Sequence, residues 1–400
     1  MTTVTPQRAW PRRIEMVPAH DGHDLALRDA VACMAGGAAT PLRHPPPAPG
    51  SDPGHMARWL ATVGHVLDFD DTFAAGLAHL SCPTTAAALA MASHLDSDVE
   101  AVARGHRRGW EFMAAMTRAH HPALYDRGWH PTAVCGAPAA AAAAGTVLGL
   151  DGEDLTQAVR LAALGTGGLQ AAFGSDGKSL QVGLAAQTGV TAALLARKGT
   201  DLGDRVDYEW GRAHGSESAA EPMRLDAVVD NWIKAYACCL QTHTSIEAAW
   251  EATRSGATAG APVKVTVHPL SRRAAPLDAV SSPLESKFSI PYLTAFVLSR
   301  GRPPTFTDLQ RVDADAAALV PTVTVVEDPG LPQSTAVLQI DGVEVRCDAA
   351  RGSPARPMSA QQHEDKVDSL GASQVVGLLD RPGTPAMSVV AALIERVGLD

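Results

Sequence analysis

The chain has 400 residues, a formal net charge of −10 and a pI near 5.8. This acidic balance argues against nucleic acid or an anionic membrane surface as a general partner, although a local group of cations can still attract a small anion. No apolar run reaches the roughly 18 residues expected of a membrane span, and residues 1–16 lack the apolar core of a signal peptide. We therefore expect no nucleic-acid partner and no membrane partner.

Cysteine spacing indicates a reduced, cytoplasmic protein. The six cysteines show neither a CxxC pair nor the spacing of a disulfide framework. Cys238 and Cys239 are adjacent, and we interpret them as two thiols packed near a helix rather than as a strained disulfide. The abundance of alanine, arginine and proline is typical of a GC-rich bacterial genome.

The first half of the chain has a helical pattern. Residues 40–55 are rich in proline and predict a surface loop. From residue 56 to about 249, alanine-rich segments of helical periodicity alternate with Gly and Asp. Gly149 and Gly199 are predicted helix ends, and Asp151 is a predicted N-cap. The many small side chains predict helices that approach one another closely.

After residue 256 the pattern changes to short alternating strands. "VKVTV", "TVTVV" and "TAVLQIDGVEV" are predicted strands, with Asp341-Gly342 as a hairpin turn. Helical patterns return in the last residues. We therefore predict a mainly α protein, with an all-α domain of residues 1–255 plus 352–400 and an inserted α+β domain of residues 256–351.

Five segments place polar side chains where the apolar pattern does not require them. These are Asp68, Asp70, Asp71, Thr72 and His79 in the first segment, His130 in the second, Lys178 in the third, Lys234 and His243 in the fourth, and Lys287, Ser289 and Tyr292 in the fifth.

Each of these residues, taken alone, also has a structural interpretation. Asp68 or Asp70 fits an N-cap or a salt bridge, His130 fits a hydrogen-bonded core histidine, and Lys178 fits a solvated turn. There is no HExxH motif and no GxSxG motif. We accordingly predict no metal and no cofactor, and we find little support for a covalent nucleophile.

Taken together, the five segments resemble the MmgE/PrpD family, which includes 2-methylcitrate dehydratase, cis-aconitate decarboxylase and iminodisuccinate epimerase. The resemblance covers roughly residues 25–400, and the segments occur in the family's order and approximate spacing. They read "HVLDFDDT", "GWHPTAVCG", "GSDGKSLQVG", "KAYACCLQTH" and "SKFSIPY".

The resemblance implies a large all-α domain with an inserted α+β lid domain, a homodimer, and a metal-free active site between the two domains. It points to Asp68, Thr72, His79, His130, Lys178, Lys234 and Tyr292 as site residues. Cys239 stands where the decarboxylases carry a histidine, while His243 fits the histidine four residues later. This departure favours a reaction other than cis-aconitate decarboxylation.

The residue types suit removal of a proton from carbon next to a carboxylate. Histidine supplies an acid or base near neutral pH, and lysines hold the carboxylates of the substrate. We assign catalysis to Asp68, His79, His130 and Tyr292, and substrate binding to Thr72, Lys178, Lys234, Cys239 and His243. Asp70 and Asp71 are expected to be structural, because neighbouring carboxylates cannot all stay ionised in a dry pocket without cations.

The predicted function is a lyase that acts on a small polycarboxylate and resembles 2-methylcitrate dehydratase. An epimerase, another isomerase or a decarboxylase working by the same proton abstraction is the alternative within the enzymes. A binding protein that retains the fold without catalysis is the alternative from another class.

Overall fold

The computed structural model describes residues 8–40, 45–48, 50–215 and 222–398. The chain forms two compact units. The first comprises residues 1–172, 177–232 and 363–400, and the second comprises residues 173–176 and 233–362. The first unit is therefore assembled from three separate stretches of sequence. The predicted domain boundaries and the lid function stay predictions.

Helices dominate the described residues. In chain order they are α1 (Asp21–Ala38), α2 (Pro53–Val66), α3 (Ser81–His94), α4 (Val99–His120), α5 (Ala123–Asp126), α6 (Pro131–Val147), α7 (Gly152–Ala163), α8 (Asp176–Arg197), α9 (Val206–Ala213), α10 (His243–Arg254), α11 (Pro269–Ala274), α12 (Pro283–Ser286), α13 (Ile290–Arg300), α14 (Ala314–Leu319), α15 (Ala360–Ser369), α16 (Ser373–Val376) and α17 (Ala386–Ile394). The strands are β1 (Thr72–Phe73), β2 (Asn231–Trp232), β3 (Val263–Val267), β4 (Val323–Glu327), β5 (Ala336–Ile340) and β6 (Val343–Cys347).

Small side chains let the central helices of the first unit approach closely, as predicted. Helix α6 consists largely of alanine and other small residues, and residues 131–145 are all buried. On α4, a Cβ added to Gly109 would lie 2.7 Å from the Cβ of Ala143 and 2.9 Å from the carbonyl oxygen of Ala139. Only a residue without a side chain fits at that crossing. The result is a dry interior behind the polar residues described below.

The second unit contains a four-stranded sheet in the order β4-β3-β5-β6. Strand β3 runs parallel to β4 and antiparallel to β5, and β5 pairs with β6 in a hairpin in which Ile340 faces Val343. Asp341 and Gly342 both have positive φ, 50° and 76°, as the two central residues of a type I′ turn require. The predicted strands and hairpin turn are confirmed.

The structure adds detail to three of the predictions. Asp151 is the N-cap residue of α7, as predicted, but its side chain makes no capping hydrogen bond; its Oδ1 accepts from Nη2 of Arg108 at 2.6 Å instead. The predicted loop at 40–55 lies partly outside the described residues, and its last residues begin α2, which Asp52 caps.

Among the described residues, one helix, α8, is long and apolar enough to span a membrane by composition. However, 56% of its apolar window is buried within the protein, which is typical of a core helix.

Candidate active site

Three buried carboxylates follow the end of α2. Asp68 adopts a left-handed backbone conformation with φ of 51°, which ends the helix and turns the chain sharply. The side chains of Asp68, Asp70 and Asp71 are all buried. A buried carboxylate must be hydrogen-bonded or paired with a cation, so the partners of each aspartate define its function.

Asp71 holds three elements together. It accepts hydrogen bonds from the amide and hydroxyl of Ser81 at 3.1 and 2.5 Å, from Nε1 of Trp110 at 3.3 Å and from Nδ2 of Asn231 at 2.7 Å. These donors belong to α3, α4 and β2. Burial raises the pKa of Asp71 to about 6, against the hydrogen bonds of Ser81 and Asn231, which favour the charged form. These contacts support a structural function for Asp71, which stays a prediction.

Asp70 lies between two imidazoles. Its carboxylate is 2.9 and 3.1 Å from Nδ1 of His65 and 3.3 Å from Nδ1 of His79. Burial opposes its ionisation, but the two imidazoles together hold the pKa of Asp70 well below its usual range. Burial in turn lowers the pKa of His65, although Asp70 acts in the opposite direction. Asp70 is therefore a carboxylate anion that orients the rings of His65 and His79.

Asp68 forms an ion pair with a lysine. Its Oδ1 is 2.8 Å from Nζ of Lys178, in the first turn of α8, and 3.6 Å from Nε2 of His79. His79 therefore has a carboxylate near each ring nitrogen, and at 8% exposed it is less buried than Asp68, Asp70 and His65.

His130 is positioned by the entry to α6. It is the N-cap residue, Pro131 follows it at the first helical position, and its backbone amide donates to the carbonyl of Gly168 at 3.0 Å. Its Nδ1 is 2.6 Å from Nε2 of Gln181, and its ring stacks on His65 with centroids 5.7 Å apart. Burial, with the nearby charge of Lys178, holds the pKa of His130 well below its ordinary value.

A lysine from the C-terminal helices anchors the aspartate loop. Nζ of Lys366, on α15, donates to the carbonyl of Phe69 at 2.8 Å and pairs with Oδ1 of Asp29, on α1, at 2.7 Å. Phe69 lies between Asp68 and Asp70, so this contact fixes the backbone that carries both carboxylates. The ammonium also lies 4.0 Å from the centre of the Phe69 ring.

Among the described residues, two sets of donor atoms lie close enough together to hold a metal ion. They are His65, Asp70 and Cys82, and Asp68, Asp70 and His79, each set within 4.8 Å. Neither suits a metal well. Burial raises the pKa of Cys82 well above its ordinary value, and its thiol donates to the carbonyl of Ala61. In the other set, the ammonium of Lys178 already neutralises Asp68.

Three of the remaining predicted binding residues lie in the second unit. Lys234 and His243 both approach the carbonyl of Cys238, from Nζ at 3.1 Å and Nε2 at 3.4 Å. Sγ of Cys239 is 3.7 Å from the carbonyl of Ala274. Both cysteines are free thiols, as predicted, and so are the other four. The binding functions of Lys234, Cys239 and His243 stay predictions.

Tyr292 and Thr72 are both buried. The hydroxyl of Tyr292 accepts from the backbone amide of Asp313, the N-cap of α14, at 2.8 Å within the second unit. This contact gives Tyr292 a structural function, and its catalytic function stays a prediction. Thr72 lies in β1, which follows directly after the aspartate loop and pairs with β2. Its hydroxyl has no hydrogen-bond partner among the described residues.

Sequence reasoning missed two members of the cluster, His65 and Gln181. His65 is five residues before Asp70, a spacing that lets the end of a helix and the following turn bring the side chains together. Gln181 is three residues after Lys178 on α8 and so shares a helix face with it. Both signals are visible in the sequence, but neither residue type stands out without the fold.

Comparison with protein families agrees with this arrangement. The MmgE/PrpD N-terminal domain matches residues 25–209, and the MmgE/PrpD C-terminal domain matches residues 236–377. The chain belongs to the MmgE/PrpD family. The first match contains His65, Asp68, Asp70, His79, His130, Lys178 and Gln181. The second match contains Lys366, which anchors the aspartate loop.

Two fungal proteins are similar to parts of the chain. A cis-aconitate decarboxylase-like protein of Aspergillus oryzae is 30% identical over 201 residues, which is 42% of this chain and 42% of that protein. Cis-aconitate decarboxylase of Aspergillus terreus is 33% identical over 141 residues, 31% of this chain and 29% of that enzyme. The chain spans less than half the length of either relative in these matches.

Proposed function

We propose that the protein is a lyase that removes a proton from carbon next to a carboxylate of a small polycarboxylate, as a dehydratase does. The observation that supports this most is the buried cluster of Asp68, Asp70, His65, His79 and Lys178. It combines proton carriers with a fixed cation in surroundings that exclude water, where both act strongly.

His79 is the proposed proton acceptor. A carboxylate near each ring nitrogen favours its protonated form, so the ring gains affinity for the proton it removes. His130 is held neutral and is the proposed hydrogen-bond donor to the departing oxygen, and the proton that His79 has taken up leaves with that group. Lys178, now paired with Asp68, would be shared with a substrate carboxylate, and Lys234 is the proposed second cation.

Decarboxylation is a second candidate, because the two relatives carry cis-aconitate decarboxylase names. Loss of carbon dioxide leaves the same carbanion as proton abstraction does and needs the same proton donor. An epimerase remains the third candidate within the same chemistry, and a binding protein is the alternative without catalysis.

The test is incubation with a panel of di- and tricarboxylates, cis-aconitate among them, in deuterated buffer, followed by NMR. Dehydration, decarboxylation and epimerisation give different products, and all predict deuterium at carbon. His79→Gln and His130→Ala should each lose about 10²–10⁴-fold in rate, while the exposed His94→Ala should not. A ligand that raises the melting temperature without exchange or turnover would favour the binding protein.

A further inference from the structure

Gln181, on α8, contacts both His130, at the start of α6, and Leu169, in the loop that precedes α8. Its Nε2 is 2.6 Å from Nδ1 of His130, and its Oε1 accepts from the backbone amide of Leu169 at 2.9 Å. Leu169 follows Gly168, whose positive φ of 128° and close approach to Ala133 exclude a side chain. The amide of Gln181 is therefore held from both ends.

These contacts decide which way the Gln181 amide faces. A backbone N–H can only donate, so the group that faces Leu169 is the oxygen of Gln181. The group that faces His130 is then the NH₂, which also can only donate. Nδ1 of His130 must accept, and the single hydrogen of the neutral ring lies on Nε2.

The stacked His65 is in the opposite state. Its Nδ1 faces the carboxylate of Asp70, which only accepts, so Nδ1 carries the hydrogen and Nε2 does not. That Nε2 is buried and has no hydrogen-bond partner among the described residues. Two stacked imidazoles in one cluster thus hold different tautomers, each set by one polar neighbour.

We propose that Gln181 is a positioning residue that fixes His130 as the Nε2–H tautomer and so makes Nε2–H of His130 a hydrogen-bond donor to a substrate oxygen. The tautomer is independent of any reaction. The contact of Nε2–H with a substrate rests on the proposed function.

The first measurement is ¹⁵N NMR of the full chain with labelled histidines, with the His130→Gln variant to assign the ring. In the unmodified protein we expect a hydrogen on Nε2 and none on Nδ1. Gln181→Glu keeps an acceptor for Leu169 but presents a carboxylate to His130, so the hydrogen should move to Nδ1. Gln181→Leu should remove the preference.

Gln157, on α7, offers a matched control, because its Oε1 also accepts from a backbone amide, that of Leu202, at 2.9 Å. Gln157→Glu and Gln157→Leu should leave the His130 signals unchanged. A hydrogen on Nδ1 in the unmodified protein, or an unchanged ring in Gln181→Glu, would overturn the proposal whether or not the protein is active.

The second measurement is kinetic. Gln181→Leu should lower kcat about 10–100-fold with little change in KM, as loss of a residue that orients a catalytic ring does. Gln181→Glu should also lower kcat, because Nε2 of His130 then carries no hydrogen to donate. An active protein with unchanged kcat in both variants would contradict the function given to Nε2–H. If the tautomers behave as expected but no polycarboxylate reacts, the proposed function fails instead.

Discussion

Asp70 and Asp71 are neighbours in the chain, yet their pKa values are shifted in opposite directions. Asp70 faces two imidazoles that can carry positive charge, whereas Asp71 faces only neutral donors. Burial disfavours the charge on both, and only Asp70 has partners strong enough to reverse the effect. Neighbouring aspartates in one motif can thus have different functions.

The first prediction concerns Asp71 and pH. Its pKa is about 6 in the folded protein against an ordinary 3.8, so the folded state binds the proton more tightly. Its contribution to the free energy of unfolding is therefore largest below pH 3.8 and falls as pH rises to 6 and above. Relative to Asp71→Asn, the unmodified protein should lose up to about 3 kcal/mol of stability over that range.

Urea denaturation of both proteins between pH 4 and pH 7.5 measures this difference. The exposed Asp154→Asn serves as the control and should show little change with pH. A difference between the Asp71→Asn and unmodified proteins that stays constant or grows with pH would contradict the prediction.

The second prediction concerns Lys178. Lys178→Met removes the cation beside Asp68, and with it an interaction present in both the ground state and the transition state. We expect KM to rise about 10–100-fold, from the usual strength of a charged hydrogen bond, with kcat also reduced. Lys198→Met, an exposed lysine just beyond the same helix, should behave like the unmodified protein. An unchanged KM in Lys178→Met would remove Lys178 from the binding site.

At the scale of elements, the sequence predicted structures whose signals lie within a few residues. Asp341-Gly342 forms the hairpin turn, and Gly149 and Gly199 have the positive φ of helix ends. Asp151 is the N-cap of α7 as predicted, but the contact of its carboxylate with Arg108 could not be predicted, because Arg108 lies 43 residues away in the chain. His65 and Gln181 were missed for a related reason, since their importance depends on which rings they meet after folding.

The third prediction concerns the contact between α1 and α15. Lys366→Met leaves Asp29 as a buried charge without its ammonium and should cost about 3–5 kcal/mol of stability. The double variant Asp29→Leu, Lys366→Met removes both charges and should recover much of that loss. Both variants should still lose turnover, because the carbonyl of Phe69 no longer has its donor. Denaturation measures the loss of stability, and deuterium exchange into substrate measures the loss of turnover. A double variant with full activity would show that the tether, the contact of Lys366 with the carbonyl of Phe69, does not position the aspartates.

At the scale of the whole molecule, the fourth prediction concerns metal. The cation beside Asp68 is an ammonium and the thiol of Cys82 stays protonated, so we expect full activity after exhaustive chelation. Activity before and after dialysis against EDTA measures this. Loss of activity that a divalent ion restores would show that one of the two donor sets binds a metal.

The fifth prediction concerns association. The family resemblance predicts a homodimer, and α8 exposes Leu184 and Leu195, at 48% and 41%, on one face with Thr188 and Thr191 between them. We expect this stripe to lie in the dimer contact. Leu184→Glu combined with Leu195→Glu should give monomers by light scattering, and Met387→Glu, at a separate exposed site on α17, should not. A double variant of unchanged mass would place the contact elsewhere.

The tether from Lys366 also sets an order of events during synthesis. Phe69 precedes Lys366 by 297 residues. At ordinary translation rates the aspartate loop leaves the ribosome about 15–60 s before the lysine that anchors it. Until then the carbonyl of Phe69 cannot receive this hydrogen bond, although Asp71 can already accept from Ser81, Trp110 and Asn231. A nascent chain therefore carries nearly all of the cluster but, we expect, no working site until its last helices have emerged.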